Sequence, residues 1–328
     1  MCTAITYQTK DFYFGRTLDL DYSFGEEVTV TPRNYPLRFR AIEEIVNHYA
    51  LIGMAYVPDG FPLYYDAVNE KGLCMAGLNF VGNAHYEKEQ AGKNNVAQFE
   101  LILFVLATCA TLKQALERLK SVNLTDTPYR ADLPPAQLHF IVADKNGAAT
   151  VEFMKDGLHI YENRAGVLAN NPPFPEQLTH LGDYMNLTPR DPQNTFSDKL
   201  HFVPYCRGMG AIGLPGDLSS RSRFVRAAFM KLNAFSGDSE EESVNQFFHI
   251  LGTVEQPRGA CIVGDNGYEI SVYTSCCNAE KGIYYYKTYE NHAISAVDMY
   301  AEDLDGTQLS RYPIVRKENI AYLNGKRR

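Results

Sequence analysis

Hydrophobic and polar residues alternate in two separate parts of the chain. Residues 138–163 read LHFIVADKNGAATVEFMKDGLHIYEN, and this run is interrupted by Asn146-Gly147 and Asp156-Gly157, two pairs that favour tight hairpin turns. The spacing predicts a three-stranded antiparallel meander. The C-terminal part repeats the pattern, with strands predicted over 261–263, 268–275, 282–288 and 293–299, and a first strand is predicted over 3–7.

Helical patterns lie between these strand blocks. Residues 96–109 are apolar enough for a buried helix, and Thr111 with Gln114 forms a capping box that predicts a second helix running towards Val122. A third helix is predicted over 222–234. Ser239 with Glu242 predicts the start of a fourth, which ends near 251–252.

Strands and helices in separate blocks predict an α+β fold with two antiparallel sheets between two layers of helices. The 328 residues contain no Pro-, Gly- or Ser-rich linker and no break in composition. We therefore expect a single domain over residues 1–328, and the hydrophobic fraction of 45% is ample for its core.

Composition narrows the possible partners and the location. The formal net charge of -8 gives no reason to expect nucleic acid binding. No apolar run is long enough to span a bilayer, and residues 1–20 contain too many charges for a signal peptide, so we expect no membrane partner and a cytoplasmic protein. The short basic segment 326–328 is predicted to be a solvated tail.

The cysteines and histidines indicate reduced thiols and no bound metal. The seven cysteines are odd in number and form no CxxC pair, which favours free thiols over a disulfide framework. Adjacent Cys276 and Cys277 are predicted to be buried or half-buried thiols at a strand end. The eight histidines show no zinc-ligand spacing, and we expect neither a metal nor a cofactor.

The glycine-rich stretch 208–213 matches the GxGxxG pattern of dinucleotide-binding loops. Pro215 and Gly216 follow at once, so no helix can begin there to receive a pyrophosphate. The stretch is predicted to be a loop. The GxSxG and Walker A motifs are absent, which argues against the common serine hydrolases and P-loop enzymes.

Cys2 directly follows Met1, so removal of one residue would make it the amino terminus. A cysteine thiol has an ordinary pKa near 8.5 and an α-amino group one of roughly 7.7–8.0, so proton transfer between them costs only about 1 kcal/mol. One residue would then carry both the nucleophile and its base. The alternative is that a small residue at position 2 serves only to permit removal of methionine.

Two opposite charges follow the first predicted strand. Arg16 and Asp19 lie in FGRTLDLDYSF at 14–24. A guanidinium beside a cysteine favours the thiolate, and a carboxylate that accepts a hydrogen bond from the α-amino group would orient it. The alternative is a solvated surface ion pair within a hairpin.

Several motifs together resemble one enzyme family. The motifs are MCTAIT at the start, FGR with Arg16 and Asp19, NEKGLCMAGLNF at 69–80, LANNPPF at 168–174, LPGDLSSRSRF at 214–224 and KGIYYYKTYEN at 281–291. In order and spacing they resemble the choloylglycine hydrolases over essentially the whole chain, and within that family the bile salt hydrolases. The resemblance implies the αββα sandwich of the N-terminal nucleophile hydrolases and, as in most of the family, a homotetramer.

The resemblance also implies the site residues and the reaction. Asn170 matches the side-chain donor of the oxyanion hole, Asn79 matches the position whose main-chain N–H is the other donor, and Arg223 matches the family's second arginine. Taken without the family, both asparagines read as turn residues and Arg223 as an exposed helix charge. The implied substrate is a small molecule, a bile salt conjugated to glycine or taurine, whose amide is cleaved through a Cys2 thioester.

Two other functions stay open. Penicillin V acylases share the family and the catalytic residues, but typically carry Tyr at the position of Asn79. A homologue that binds bile acids without catalysis is the second alternative, although a pure binder has no use for the set of Cys2, Arg16, Asp19, Asn170 and Arg223.

Overall fold

The computed structural model describes residues 1–325, and the tail predicted at 326–328 lies outside the described residues. The strands, in chain order, are β1 (Cys2–Gln8), β2 (Phe12–Leu20), β3 (Glu27–Thr31), β4 (Leu51–Tyr56), β5 (Leu63–Asn69), β6 (Cys74–Asn79), β7 (Asn94–Ala97), β8 (Val122–Thr125), β9 (Leu138–Asp144), β10 (Gly147–Met154), β11 (Gly157–Glu162), β12 (Val167–Leu168), β13 (Ile262–Val263), β14 (Gly267–Tyr268), β15 (Ile270–Asn278), β16 (Ile283–Thr288), β17 (Asn291–Asp298) and β18 (Ser310–Pro313). The α-helices are α1 (Leu101–Thr108), α2 (Leu112–Lys120), α3 (Phe174–Leu181), α4 (Ser220–Asn233) and α5 (Glu240–Gly252).

Two large antiparallel sheets form the centre of the molecule. The first has six strands in the order β12-β1-β2-β15-β16-β17, and the second has eight in the order β11-β10-β9-β6-β5-β4-β3-β18. Every residue of β1 except the last is buried, because β1 is covered on both of its faces. A strand covered on both faces reads as a nearly continuous apolar run, as CTAITY does.

Helices cover the outer face of each sheet. Helices α1 and α2 pack on the second sheet, and α4 and α5 pack on the first. One apolar cluster fills the space between the sheets and beneath α4 and α5, and a second lies between the second sheet and α1. The predicted four-layer αββα sandwich with antiparallel sheets is therefore confirmed.

Local signals in the sequence predict several elements well. The meander over 138–163 forms as β9, β10 and β11. Its two-residue turns are Lys145-Asn146 and Lys155-Asp156, one residue before each predicted pair. Ser239 and Glu242 make the predicted capping box of α5, in which the Ser239 hydroxyl accepts from the Glu242 N–H and the Glu242 carboxylate accepts from the Ser239 N–H. The stretch 208–213 contains only a single 3₁₀ turn, Met209–Ala211.

Two predictions of local structure were wrong in part, and a third is confirmed. The helix predicted over 96–109 begins only at Leu101, because 94–97 pairs as a parallel strand with β8. The box at Thr111 is half formed, since Gln114 Oε1 accepts from the Ala110 N–H instead of the Thr111 N–H. Cys276 and Cys277 are buried and free as predicted, and they lie at the end of β15.

Two features are absent from the described part of the chain. Among residues 1–325, no helix is long and apolar enough to cross a membrane. Within the same range, no group of three or more His, Cys, Asp or Glu side chains is placed to hold a metal ion.

Candidate active site

The other five predicted site residues lie around Cys2, and strand register accounts for the positions of Arg16 and Asp19. Cys2 begins β1 and pairs with Leu18 of β2, so Ala4 pairs with Arg16 and Thr3 with Thr17. Side chains of directly paired residues share a face, and successive residues alternate between faces. Cys2 and Arg16 therefore point towards the second sheet, whereas Thr17 and Asp19 point towards α4.

Arg16 is fully buried on the face of the Cys2 thiol. Its Nη1 donates to the main-chain oxygens of Gly77 and, at 3.3 Å, of Tyr65, and its Nε donates to the Thr17 oxygen at 3.1 Å. Burial opposes the guanidinium charge, yet the groups that face it, Cys2 foremost, raise the pKa of Arg16 above its ordinary value. The surface ion pair considered from the sequence is therefore excluded, because Arg16 and Asp19 are 1% and 0% exposed.

Asp19 lies behind Cys2, on the opposite face of the sheet. Its carboxylate accepts from the Ser271 hydroxyl at 2.6 Å and from the Thr17 hydroxyl at 3.1 Å. Burial raises the pKa of Asp19, while the neighbouring Arg223 and the amino terminus act in the opposite direction. With Met1 in place, the Cys2 N–H donates to Asn170 Oδ1 at 2.8 Å and not to Asp19.

Arg223, in the first turns of α4, connects Cys2 to Asn170. Its Nη1 donates to the Cys2 oxygen at 2.5 Å and to the Thr3 hydroxyl at 2.6 Å, and its Nη2 donates to Asn170 Oδ1 at 2.7 Å. Arg223 is fully buried, so the interpretation as an exposed helix charge is wrong. Burial lowers the pKa of Arg223, an effect that Asp19 opposes.

Asn170 follows β12 and spans the two sheets. Its Oδ1 accepts from the Cys2 N–H, in the first sheet, and from Arg223 Nη2, in α4. Its Nδ2 donates to the main-chain oxygen of Asn79, at the end of β6 in the second sheet, 2.8 Å away. One Nδ2 hydrogen stays available for a third group. Neutral amide donors of this kind suit an oxyanion, because they stabilise negative charge without competing for the proton.

A largely apolar cavity opens beside Cys2. It has a volume of about 300 Å³, and Cys2, Arg16 and Asn79 line it on one side. Aliphatic and aromatic side chains from both sheets and from α1, among them Leu20, Phe99, Ile102 and Phe140, form most of its wall. Cavities of this composition bind apolar ligands, and a few polar groups at one end fix their orientation.

Met1 makes its own contacts at this site. Its amino group donates to the Asp19 main-chain oxygen at 2.7 Å and forms an ion pair with Glu269, whose side chain is 10% exposed. The Asp19 N–H in turn donates to the Met1 oxygen at 3.0 Å. Removal of Met1 would leave Glu269 and the Asp19 main chain facing the new amino terminus.

The sequence did not point to every residue of this site. Thr17 could have been found, because the alternation of β2 puts it on the same face as Asp19. Ser271 and Glu269 lie about 270 residues from Cys2 along the chain, and nothing in their local sequence distinguishes them. Only the pairing of β15 with β2 brings Ser271 opposite Asp19.

Comparison with known proteins gives relatives along nearly the whole chain. A bile salt hydrolase/transferase of Lactiplantibacillus plantarum is 51% identical over 314 residues, which cover 96% of this chain and 97% of that protein. A bile salt hydrolase/transferase of Clostridium perfringens is 36% identical over 330 residues, covering 99% of this chain and 100% of that one.

Solved structures share the fold. A variant of the conjugated bile acid hydrolase from Clostridium perfringens superposes with a TM-score of 0.91 at 35% identity, covering 99% of this chain and 100% of that one. Penicillin V acylase from Agrobacterium tumefaciens gives a TM-score of 0.76 at 20% identity, covering 94% of this chain and 90% of that one, which shows a shared fold. The model of the linear amide C–N hydrolases of the choloylglycine hydrolase family matches residues 2–312. The chain therefore belongs to the choloylglycine hydrolase family of linear amide C–N hydrolases.

Proposed function

We propose that the chain hydrolyses the amide bond of bile salts conjugated to glycine or taurine, with Cys2 as the N-terminal nucleophile. The observation that carries the proposal is the position of Cys2, which lies at one end of an apolar cavity with Arg16 on its face and Asn170 and Arg223 bonded to its main chain. An apolar wall suits a steroid, and the polar end suits its amide. The names of the relatives support this substrate class.

The reaction follows from the groups around Cys2 once Met1 is removed. The Cys2 thiol passes its proton to the Cys2 α-amino group and the sulfur attacks the amide carbon. The resulting oxyanion is bound by Asn170 Nδ2 and by the main-chain N–H of Asn79. Collapse of this intermediate breaks the C–N bond, and the Cys2 α-amino group passes its proton to the leaving amine. Water, deprotonated by the Cys2 α-amino group, then attacks the thioester and releases the bile acid and the free thiol.

The charged residues act on Cys2 from its two sides. Arg16 favours the thiolate on the cavity face. On the opposite face, Asp19 is proposed to orient the freed α-amino group, which loses its amide character and gains hydrogens when Met1 leaves. Arg223 holds the Cys2 carbonyl and Asn170 in place.

The residue at position 79 separates this proposal from the penicillin V acylase alternative. A carboxamide side chain at the cavity wall leaves space and hydrogen-bonding capacity, whereas the Tyr typical of those acylases would add an aromatic wall suited to a phenoxyacetyl group. We expect conjugated bile salts to exceed penicillin V in kcat/KM by at least about tenfold, which requires roughly 1.4 kcal/mol of differential transition-state binding.

Incubation with glycocholate, taurocholate and penicillin V, with measurement of the released amine, tests the proposal. Equal or reversed specificity would remove the bile-salt assignment and leave the cysteine mechanism standing. Binding of bile salts with no amine released from any substrate would favour the non-catalytic alternative.

The remaining proposals concern the whole protein. We propose a single domain over residues 1–328, a homotetramer and a cytoplasmic location, supported by the family membership and, for the single domain, by the absence of a linker within the sequence. Light scattering of the purified protein tests the tetramer, and cell fractionation tests the location.

A further inference from the structure

A buried carboxylate lies between the two sheets and outside the predicted catalytic set. Asp66, on β5 of the second sheet, is 1% exposed. Its Oδ1 accepts from the Tyr273 hydroxyl at 2.5 Å, and its Oδ2 accepts from the Tyr284 hydroxyl at 2.6 Å and from the Ser275 hydroxyl at 3.0 Å. We call Asp66, Tyr273, Ser275 and Tyr284 the Asp66 cluster. The three hydroxyls come from the first sheet, so the cluster joins the two sheets at the centre of the sandwich.

The hydrogen bonds of the cluster suit an ionised carboxylate. Three hydroxyl groups converge on its two oxygens, and a carboxylate accepts only. A neutral Asp66 would keep these contacts only if one of the hydroxyls turned to accept its proton. Burial raises the pKa of Asp66 above its ordinary value, while Arg16 and the three hydroxyls oppose this rise.

Arg16 is the cation that this carboxylate faces. The two are connected through Ser275, whose hydroxyl accepts from the Arg16 main-chain N–H at 3.1 Å and donates to Asp66. The guanidinium itself makes its hydrogen bonds to main-chain oxygens, and Arg16 Nη2 is buried with no partner among residues 1–325. The Asp66 carboxylate therefore balances the Arg16 charge without a direct hydrogen bond, and two buried charges interact strongly even when they are not in contact.

The two cations near Cys2 each have their own anion. Arg16 faces Asp66 on the cavity side of the first sheet, and Arg223 faces Asp19 on the helix side. The titratable and charged groups around Cys2, Arg16 and Asp66 are, by element, Cys2 (β1), Arg16 and Asp19 (β2), Tyr65 (β5), Cys74 (β6), Tyr273 and Cys277 (β15), Tyr284 (β16) and Arg223 (α4).

We propose that Asp66 is a positioning residue that balances the charge of Arg16 and thereby sets the pH range in which the Cys2 thiolate forms. The proposal rests on the proposed role of Cys2 as nucleophile, but not on the identity of the substrate. A full positive charge beside Cys2 would favour the thiolate most, and the Asp66 carboxylate reduces that effect. In return, Asp66 allows Arg16 to stay buried without an uncompensated charge.

The sign of the expected change makes the proposal testable. Asp66→Asn keeps the shape of the side chain, and the hydroxyls around it can rotate to donate or accept. Loss of the negative charge leaves Arg16 less balanced, so Cys2 should react at lower pH. We expect the pH midpoint of Cys2 alkylation to fall by roughly one unit, which is about a tenfold faster reaction below the midpoint. General loosening of the site predicts no such downward shift.

The measurement is the rate of iodoacetamide labelling of Cys2 between pH 5 and 9, followed by peptide mass, on protein whose intact mass shows that Met1 is absent. Arg16→Ala should move the midpoint upwards, opposite to Asp66→Asn. Asp144→Asn is the matched control, because Asp144 is also a buried carboxylate but accepts from the main-chain N–H groups of Leu112 and Asn146. Its midpoint should equal that of the wild type.

An unchanged or higher midpoint in Asp66→Asn would overturn the proposal. If this variant does not fold, the double variant Arg16→Ala/Asp66→Asn, which removes both charges, should fold better than Asp66→Asn alone. A double variant that folds no better would also overturn the proposal. If Cys2 is not the nucleophile, the result is different: protein in which every Cys2 is labelled with iodoacetamide would still hydrolyse the amide.

Discussion

Substitution of Asn170 can separate two roles, because one atom of its side chain holds the site together and another is proposed to stabilise the transition state. Its Oδ1 accepts from the Cys2 N–H and from Arg223, whereas its Nδ2 donates to Asn79 and is the proposed oxyanion donor. Asn170→Asp keeps an oxygen in the accepting position and replaces only the donor. Asn170→Ala removes both.

The expected magnitudes differ for the two variants. Loss of one oxyanion donor costs about 10²–10³ in kcat, or roughly 3–4 kcal/mol, and both variants should show it with little change in KM. Asn170→Ala also leaves Cys2, Arg223 and Asn79 each without one buried hydrogen-bond partner, at about 1–3 kcal/mol per group before relaxation and entry of water. We expect a net loss of about 2–4 kcal/mol in the free energy of unfolding. For a chain of this length, the loss corresponds to a Tm lower by roughly 3–6 °C.

The Asp variant should be closer to the wild type in stability. Its new oxygen is repelled by the Asn79 main-chain oxygen, but attraction between its carboxylate and Arg223 offsets this repulsion. Steady-state kinetics with glycocholate and thermal unfolding measure the two effects. Asn171→Asp is the matched control, since Asn171 Nδ2 also donates to a main-chain oxygen, that of Val81, at 2.6 Å. A kcat of Asn170→Asp within tenfold of the control would refute the role of Nδ2.

Three further predictions concern Cys2, its charged neighbours and a buried carboxylate elsewhere. Activity should require loss of Met1, and Cys2→Ser should hydrolyse very poorly because an alkoxide is harder to form than a thiolate; full activity in protein whose intact mass retains Met1 on every molecule would contradict this. Arg16→Ala should raise the pH at which iodoacetamide labels Cys2, whereas Asp19→Asn should chiefly lower turnover; no change in either quantity would mean that both charges are structural. Burial raises the pKa of Glu100 from 4.5 to about 7, so this group makes the fold less stable as pH rises from 4.5 through 7, by about 3 kcal/mol in all. Glu100→Gln should therefore flatten the dependence of Tm on pH over that range, and an unchanged slope would count against the buried charge.

The sequence determined the elements whose signals are local. The turns beside Asn146-Gly147 and Asp156-Gly157 and the box at Ser239 depend on residues within a few positions of one another, so the pattern alone predicts them to within one residue. Residues 96–97 are predicted as the start of a helix but belong to the strand Asn94–Ala97, because its hydrogen bonds go to β8, which lies about 28 residues away. The family motifs likewise predict the αββα sandwich and the six candidate site residues, since each motif lies within one short segment.

Tertiary structure alone decided how those six residues meet. The register of β1 with β2 puts Arg16 on the face of the Cys2 thiol and Asp19 on the opposite face. From the sequence alone, the two residues could equally form one ion pair or have two separate roles. Pairing with β15 brings Ser271 to Asp19, and stacking of the sheets brings Tyr273 and Tyr284 to Asp66. These contacts join residues more than 200 positions apart. They exist because buried charges must find partners wherever the packed sheets supply them, and no local pattern records that requirement.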